Sequence, residues 1–263
     1  MRHNRFGLIG HPIAHSLSPA LFKAGYQGRY PYELIEGEDF EKSYKKFLEE
    51  YDGINVTAPF KELAFAKADI LSPECEAVGA TNLLVKTPQG VKAFNSDFLG
   101  VRMWLEEVAA DLPCSQNGNL SSEISVLIVG MGGAGKAAAA AAESLGLRVI
   151  RMNRTVRDER TRSLENFREC FREADIIIYN IPSTIPVLNE LTYRDFTPDR
   201  PKFILEANYK NPSFDNTLLE KIQAANPLAR YTGGKTWLLY QAVTGYDIFT
   251  GEKPDLGRMA DVL

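Results

Sequence analysis

Ile124-Ser125-Val126-Leu127-Ile128-Val129 runs directly into Gly130-Met131-Gly132-Gly133-Ala134-Gly135, and a stretch with six consecutive alanines, Lys136 to Leu145, follows. Branched apolar residues, then G-x-G-x-x-G, then strong helix formers is the order strand, turn, helix. It places a pyrophosphate against the free N–H groups of a helix start. Gly130 serves the tight turn, Gly132 the approach of backbone to phosphate, and Gly135 the packing of helix on strand. Gly133 and Ala134 complete the phosphate-facing backbone. A second apolar strand, Leu147 to Met152, ends in Asn153-Arg154-Thr155. An NAD site wants a carboxylate here for the ribose 2′-hydroxyl, and that carboxylate would repel a 2′-phosphate. Arg154, with Asn153 and Thr155 beside it, suits the dianionic phosphate of NADP. NADP is therefore the expected cofactor.

Outward from this stretch, 263 residues allow two modest α/β domains with real cores. A net charge of −4 leaves no electrostatic footprint for nucleic acid or an anionic membrane. No apolar run approaches the ~20 residues that span a bilayer. Met1-Arg2-His3-Asn4-Arg5 leads straight into Phe6 to Gly10, without the apolar region or cleavage site of a signal peptide. Cys75, Cys114 and Cys170 are odd in number and widely spaced, which fits a reducing cytoplasm. His11 and His15 are four apart, but Pro12 argues against the helix that would aim both at zinc, so no metal is expected.

Strands are expected at Phe6–Gly10, Tyr32–Ile35 and Gly53–Val56. Helices are expected at Pro19–Gly25 (with Ser18 as N-cap), Asp39–Tyr51 and Pro59–Ala66. A hairpin crosses Thr87-Pro88-Gln89-Gly90, and Asp97–Ala110 carries Phe98, Val101, Leu105 and Val108 on one helical face. The polar, turn-rich run from Asp111 to Asn119 separates the two halves. Beyond Arg154, strands at Ile176–Tyr179 and Phe203–Leu205 and helices at Thr217–Ala225 and Thr236–Phe249 continue the rhythm. This alternation predicts two α/β domains on mostly parallel sheets, one of Rossmann type, with the reaction in the cleft between them.

Short polar motifs punctuate the first half: Gly7-Leu-Ile-Gly-His-Pro-Ile-Ala-His-Ser-Leu-Ser-Pro19, Gly53-Ile-Asn-Val-Thr-Ala-Pro-Phe-Lys61, Gly79-Ala-Thr-Asn82 and Asn95-Ser-Asp97. With the glycine turn, Asn153-Arg-Thr and Gln241, they make the chain resemble the shikimate dehydrogenase family over nearly its whole length. The resemblance implies NADPH-dependent, reversible reduction of 3-dehydroshikimate to shikimate in aromatic amino-acid biosynthesis. It also implies that the last helix returns to the first domain, giving 1–98 plus 236–263 for substrate and 99–235 for NADP. A small-molecule substrate and a monomer or homodimer go with it.

The resemblance assigns Lys61 and Asp97 to catalysis. Hydride reduction of a ketone leaves charge growing on oxygen, and an ammonium offers both positive charge and a proton. An adjacent carboxylate orients it. Read alone, Lys61 is also a surface lysine at a helix start and Asp97 an N-cap. The resemblance implies that Ser16 and Ser18 hydroxyls take the substrate carboxylate, and that Asn55, Thr57, Asn82 and Gln241 grip the ring hydroxyls. It implies Tyr209 and Gly234 at the cofactor.

Against the family's pattern, Leu83 stands for a threonine, Ala93-Phe94 for Gly-Tyr, Glu206 for an aspartate and Trp237 for a methionine. Asn180 to Pro186 stands where a glycine-containing turn is usual. These departures mark a divergent member. Two rival readings follow: a relative acting on quinate or another cyclic polyhydroxy acid, and an NADP-binding sensor that has lost turnover.

Overall fold

The computed structural model describes residues 4–112, 123–156, 158–196 and 199–263. Met1–His3, Cys114 and most of the turn-rich run before the glycine strand lie outside the described residues. The chain divides into two compact units, Met1–Gly100 with Leu239–Leu263, and Val101–Leu238.

The first unit begins with β1 (Phe6–Gly10), α1 (Ser18–Tyr26), β2 (Tyr32–Glu36), α2 (Phe40–Glu50), β3 (Gly53–Val56) and α3 (Lys61–Ala66). It continues through β4 (Ile70–Leu71), α4 (Pro73–Val78), β5 (Leu83–Thr87), β6 (Gly90–Phe94) and the start of α5 (Ser96–Ala110). Its sheet runs β2-β1-β3-β5-β6-β4. β2, β1 and β3 are parallel, but the β5–β6 hairpin is antiparallel to β3 and within itself, so this sheet is mixed. A tight hairpin can only return antiparallel; parallel neighbours need a crossover. α2 shows how local sequence sets an element: Asp39 accepts the Lys42 N–H as N-cap, and Phe40, Ser43, Tyr44 and Phe47 form its buried face. That face packs with Ile9, Ile54 and Leu84 of the sheet.

The second unit carries β7 (Ser125–Val129), α6 (Gly133–Ser144), β8 (Arg148–Asn153), β9 (Thr161–Ser163), α7 (Phe167–Glu173) and β10 (Ile176–Tyr179). Then come α8 (Pro186–Asn189), β11 (Lys202–Glu206), α9 (Asn216–Ala225), β12 (Ala229–Thr232) and α10 (Gly234–Thr250), after which α11 (Leu256–Ala260) belongs to the first unit. All five pairings in the order β12-β11-β10-β7-β8-β9 are parallel. Read from the β9 edge in order of appearance this is 3-2-1-4-5-6, the doubly wound dinucleotide order. The order reverses its sense between β7 and β10, the crevice where such sheets bind ligands. β7, β10 and β11 are buried along their whole length, as strands covered on both faces must be.

Three local expectations change. α3 starts at Lys61 rather than Pro59, because Phe60 N–H turns back to the Thr57 carbonyl first. Ser18 is the first helical residue of α1 and caps nothing; Ser16 Oγ accepts the Ser18 N–H at 3.2 Å instead. At α5 the cap is Asn95, which precedes the helix and whose Oδ1 accepts the Phe98 N–H at 3.0 Å.

Candidate active site

In the first unit the polar motifs gather along one edge of the sheet. β1 ends in Gly10 and the serine loop, β3 in Val56 before Thr57 to Lys61, and β6 in Phe94 before Asn95 to Asp97. β5 runs the other way, with Leu83 paired to both Phe94 and Asn55, so Asn82 just before it arrives at the same edge. Gly10 is required at the crossing: a Cβ there would sit 2.4 Å from Thr57 Cγ2 and 2.7 Å from Ile13 Cγ2. Peptide bonds His11–Pro12 and Ala58–Pro59, both inside these motifs, are cis.

Lys61 Nζ donates to Asp97 Oδ2 at 2.7 Å, joining the first residue of α3 to the first turn of α5. The two side chains are 28% and 12% exposed, so the ammonium reaches solvent or a ligand while the carboxylate stays largely covered. Around this pair the amides are held firmly. Tyr32, whose phenol burial pushes well above the ordinary range and keeps as a neutral donor, gives its hydroxyl to Asn55 Oδ1 at 2.8 Å. Asn55 Nδ2 donates to the Asn82 carbonyl at 3.3 Å. Asn82 is tied to Ser96, and Ser96 to Gln241 of α10. Ser16 and Ser18 hydroxyls lie 3.2 Å apart, and Tyr246, also kept protonated by burial, anchors the Ser18 carbonyl at 3.1 Å. Thr57 is half-buried and takes its backbone N–H to the Ile9 carbonyl.

Sequence reasoning missed Tyr32, Tyr246 and Ser96, which stand behind the polar residues it named. A strand tyrosine and a helix tyrosine read as core aromatics, and nothing local marks their hydroxyls. His11 is exposed, with Nε2 3.4 Å from Glu38 and Nδ1 3.9 Å from Glu36. Among the described residues no group of three His, Cys, Asp or Glu side chains is arranged to hold a metal.

In the second unit the glycine turn lies at the switch point. Gly130 has φ +94°, and a Cβ on Gly135 would fall 1.8 Å from the Gly130 carbonyl oxygen, so neither position admits a side chain. Among the described residues nothing lies within 4 Å of a Cβ built on Gly132 or Gly133, and no side chain caps α6. The first-turn N–H groups of this twelve-residue helix have no side-chain cap among the described residues, which fits a pyrophosphate. Beside them, Asn180 Oδ1 at the end of β10 is buried without a hydrogen-bond partner among the described residues. An orphaned acceptor next to an open glycine turn also fits a ligand that brings donors.

Asn153 Oδ1 lies 3.5 Å from the Met131 N–H, tying the end of β8 to the glycine turn, while Arg154 and Thr155 are exposed. Tyr209 follows β11, and Gly234 lets α10 begin against its backbone: a Cβ there would be 2.6 Å from Tyr209 N. Glu206, a departure from the family's pattern, is fully buried. It accepts the N–H groups of Ser213 (2.5 Å) and Phe214 (3.3 Å) and the Tyr231 hydroxyl (2.8 Å). Glu206 therefore pins the loop that carries Tyr209. The Asn180 turn is likewise tied down, since Tyr179 donates to the Ser183 carbonyl at 2.7 Å and accepts the Ile185 N–H at 3.2 Å. Trp237 is 8% exposed within α10.

A doubly wound parallel unit with an open glycine turn, and an α/β unit presenting an ammonium–carboxylate pair among fixed amides, define the class: a nicotinamide-dinucleotide oxidoreductase. Residues 8–84 match the family described as "Shikimate dehydrogenase substrate binding domain". Over 98% of its length the chain is 30% identical to an NADP(+) shikimate dehydrogenase of Thermus thermophilus, of which it covers 96%. The chain belongs to the shikimate dehydrogenase family.

Residues 103–197 match the NAD binding domain of D-isomer specific 2-hydroxyacid dehydrogenases. The Haloarcula marismortui NADP(+) shikimate dehydrogenase is 29% identical over 97% of this chain and 96% of its own. The structure of the Thermus thermophilus enzyme in complex with NADP(H) and shikimate aligns with a TM-score of 0.76 at 26% identity, covering 100% of this chain and 98% of that one. A quinate dehydrogenase from Corynebacterium glutamicum in complex with NAD aligns at 0.76 with 23% identity, covering 98% of this chain and 97% of its own. That last likeness is one of fold alone. Among the described residues no helix is long and apolar enough to cross a membrane.

Proposed function

We propose that this chain catalyses the reversible, NADP-dependent reduction of 3-dehydroshikimate to shikimate. The observation that carries the reading is the 2.7 Å contact between Lys61 and Asp97, far apart in sequence and brought to one sheet edge. NADPH, when bound, supplies the hydride. The N–H groups at Gly132 to Gly135 would hold its pyrophosphate, with Arg154 and Thr155 toward the 2′-phosphate and Tyr209 and Gly234 toward the nicotinamide end.

Lys61 acts where charge develops. As the substrate carbonyl gains electrons, its oxygen needs a positive neighbour and then a proton, and the Lys61 ammonium supplies both. Asp97 holds that ammonium in place by accepting one of its three N–H bonds, leaving two for the substrate. Ser16 and Ser18 take the substrate carboxylate, while Asn55, Thr57, Asn82 and Gln241 hold the ring hydroxyls. The pinned Asn55, Asn82 and Gln241 amides support this part of the reading, because preset donors and acceptors lose little freedom on binding.

In this reading 1–98 with 236–263 forms the substrate part and 99–235 the NADP part. A cytoplasmic monomer or homodimer goes with it, in keeping with the free buried thiols of Cys75 and Cys170. Steady-state rates with shikimate and quinate, each with NADP and NAD, test the proposal. Shikimate with NADP is expected to give the highest kcat/KM. Preference for quinate would move the assignment to a related polyhydroxy acid, and no turnover with either would make the chain a cofactor-binding sensor.

A further inference from the structure

Every hydrogen-bonding position of the Asn208 side-chain amide is taken by backbone. Its Nδ2 donates to the Pro182 carbonyl at 3.2 Å and to the Asn211 carbonyl at 2.7 Å. Its Oδ1 accepts the N–H groups of Lys210 and Asn211, both at 3.2 Å. A backbone carbonyl can only accept and a backbone N–H can only donate, so the amide has one possible orientation. Three of these bonds stay inside the loop that follows β11. The fourth crosses 26 positions to the turn that follows β10.

Each of the two segments is also held from below. Tyr179 fixes the Asn180 turn through Ser183 and Ile185, and Glu206 fixes the far end of the Tyr209 loop through Ser213 and Phe214. The Tyr179 and Phe214 rings meet edge to face, with centroids 5.6 Å apart. Asn208 joins the two segments at their rim. In a doubly wound sheet the glycine turn takes the pyrophosphate and the end of the next strand, here β8, takes the adenosine ribose. The nicotinamide half would therefore rest on the side of β10 and β11, whose ends carry these two segments. The Asn180 turn already abuts the glycine turn: a Cβ on Gly130 would lie 2.9 Å from Ile181 Cγ1. Both segments also hold departures from the family's pattern, Asn180 to Pro186 in one and Glu206 at the base of the other.

We propose that Asn208 is a positioning residue for the cofactor: by fastening the Tyr209 loop to the Asn180 turn, it presets the wall against which the nicotinamide half of NADP rests. The proposal rests on the reading of this unit as the NADP part. Asn208 itself touches no cofactor in this scheme. A wall already fixed loses little freedom when the ligand arrives, and that saving appears as affinity.

The test uses the full chain, two variants and two ligands. NADPH carries both halves of the cofactor, and adenosine 2′,5′-bisphosphate carries the adenine half alone. In calorimetric titrations Asn208→Ala is expected to weaken NADPH about 3- to 10-fold, the worth of one neutral hydrogen bond, and to leave the bisphosphate within about twofold of wild type. Serine still accepts from the N–H two residues on, but it is a bond shorter and carries no amide to donate to Pro182. Asn208→Ser should therefore weaken NADPH as Asn208→Ala does. The backbone amide NMR signal of Ser183, whose peptide group contains the Pro182 carbonyl, should shift in both variants.

Equal weakening of the two ligands would overturn the proposal, since Asn208 would then support the unit as a whole. So would wild-type NADPH affinity in Asn208→Ala, or in Asn208→Ser alone, which would leave only the loop's own turn to explain the residue. A Ser183 signal that stays in place would remove the tie itself. In each of these cases a wild type that binds both ligands keeps the cofactor reading intact. A wild type that binds neither removes that reading, and the proposal with it.

Discussion

Replacing Lys61 by Met keeps the aliphatic stem and removes only the ammonium, so it separates charge from packing. Two effects are expected, and their sizes differ. At 2.7 Å and an effective dielectric of ~20, the gross attraction between Lys61 and Asp97 is about 6 kcal/mol, most of it offset by the cost of drying the pair. Leaving the largely covered Asp97 carboxylate without this partner should cost about 1–3 kcal/mol of stability, visible as a lower urea midpoint. The catalytic loss should be larger: a general acid contributes roughly 10²–10⁴-fold, or about 2.7–5.4 kcal/mol at 1.36 kcal/mol per decade. The assay is initial-rate NADPH absorbance at saturating shikimate and NADP, beside a fluorescence titration of NADPH binding. kcat should fall by two to four decades, roughly, while NADPH binding stays near wild type. A Lys61→Met enzyme that folds and keeps kcat within about tenfold of wild type would refute the mechanism, because that loss is too small for a missing proton donor.

Arg154→Ala should weaken NADP roughly 10- to 150-fold and NAD hardly at all, since only the 2′-phosphate loses a charge-assisted contact; equal weakening in paired titrations would place phosphate recognition elsewhere. Ser16→Ala should raise KM for shikimate with kcat nearly unchanged, because an anchor holds ground and transition states alike; a fall in kcat alone would contradict that role. Lys202 predicts a pH effect on stability. It is 3% exposed, donates to the carbonyls of Phe171 and Ala174, and burial lowers its pKa to about 8. Between about pH 8 and 10 the unfolded chain holds this proton and the folded one does not, so stability contributed here rises with pH, by up to ~2–3 kcal/mol. Urea midpoints of wild type and Lys202→Met across that range should converge or cross in favour of wild type as pH rises; parallel profiles would show that Lys202 does not titrate there.

Much of the chain is legible without coordinates, for a local reason. The Gly130 to Gly135 turn, the buried strand before it and the alanine helix after it are short-range patterns, and each glycine meets a constraint from residues nearby. The Asp39 helix and the Thr87–Gly90 hairpin are set by neighbours within a few positions too. Elements such as β4, β9 and β12 were not legible, because two to four residues are too few to show a period and only their strand partners make them strands. At α1 the N-cap position falls on Leu17, with Ser16 Oγ accepting the Ser18 N–H, and at α5 the cap is Asn95, since adjacent residues in one motif compete and backbone geometry chooses.

For the candidate site, residue types named Lys61, Asp97 and the amides, but not what each one touches. Ser96 and Gln241 are 145 positions apart, and Tyr26 reaches Tyr246 across 220. No local pattern encodes such pairings. Nor does the sequence say that Glu206, read as a departure from the family, is a buried acceptor for three donors that holds the loop before Phe214. The sequence by itself determined which chemistry is present and the order of the longer, strongly patterned strands and helices, because those follow from side-chain type and short-range periodicity. Only the tertiary structure decided which amide ends are fixed and which tyrosines donate. Hydrogen-bond direction depends on the partner that folding brings within about 3 Å, wherever it lies in the chain.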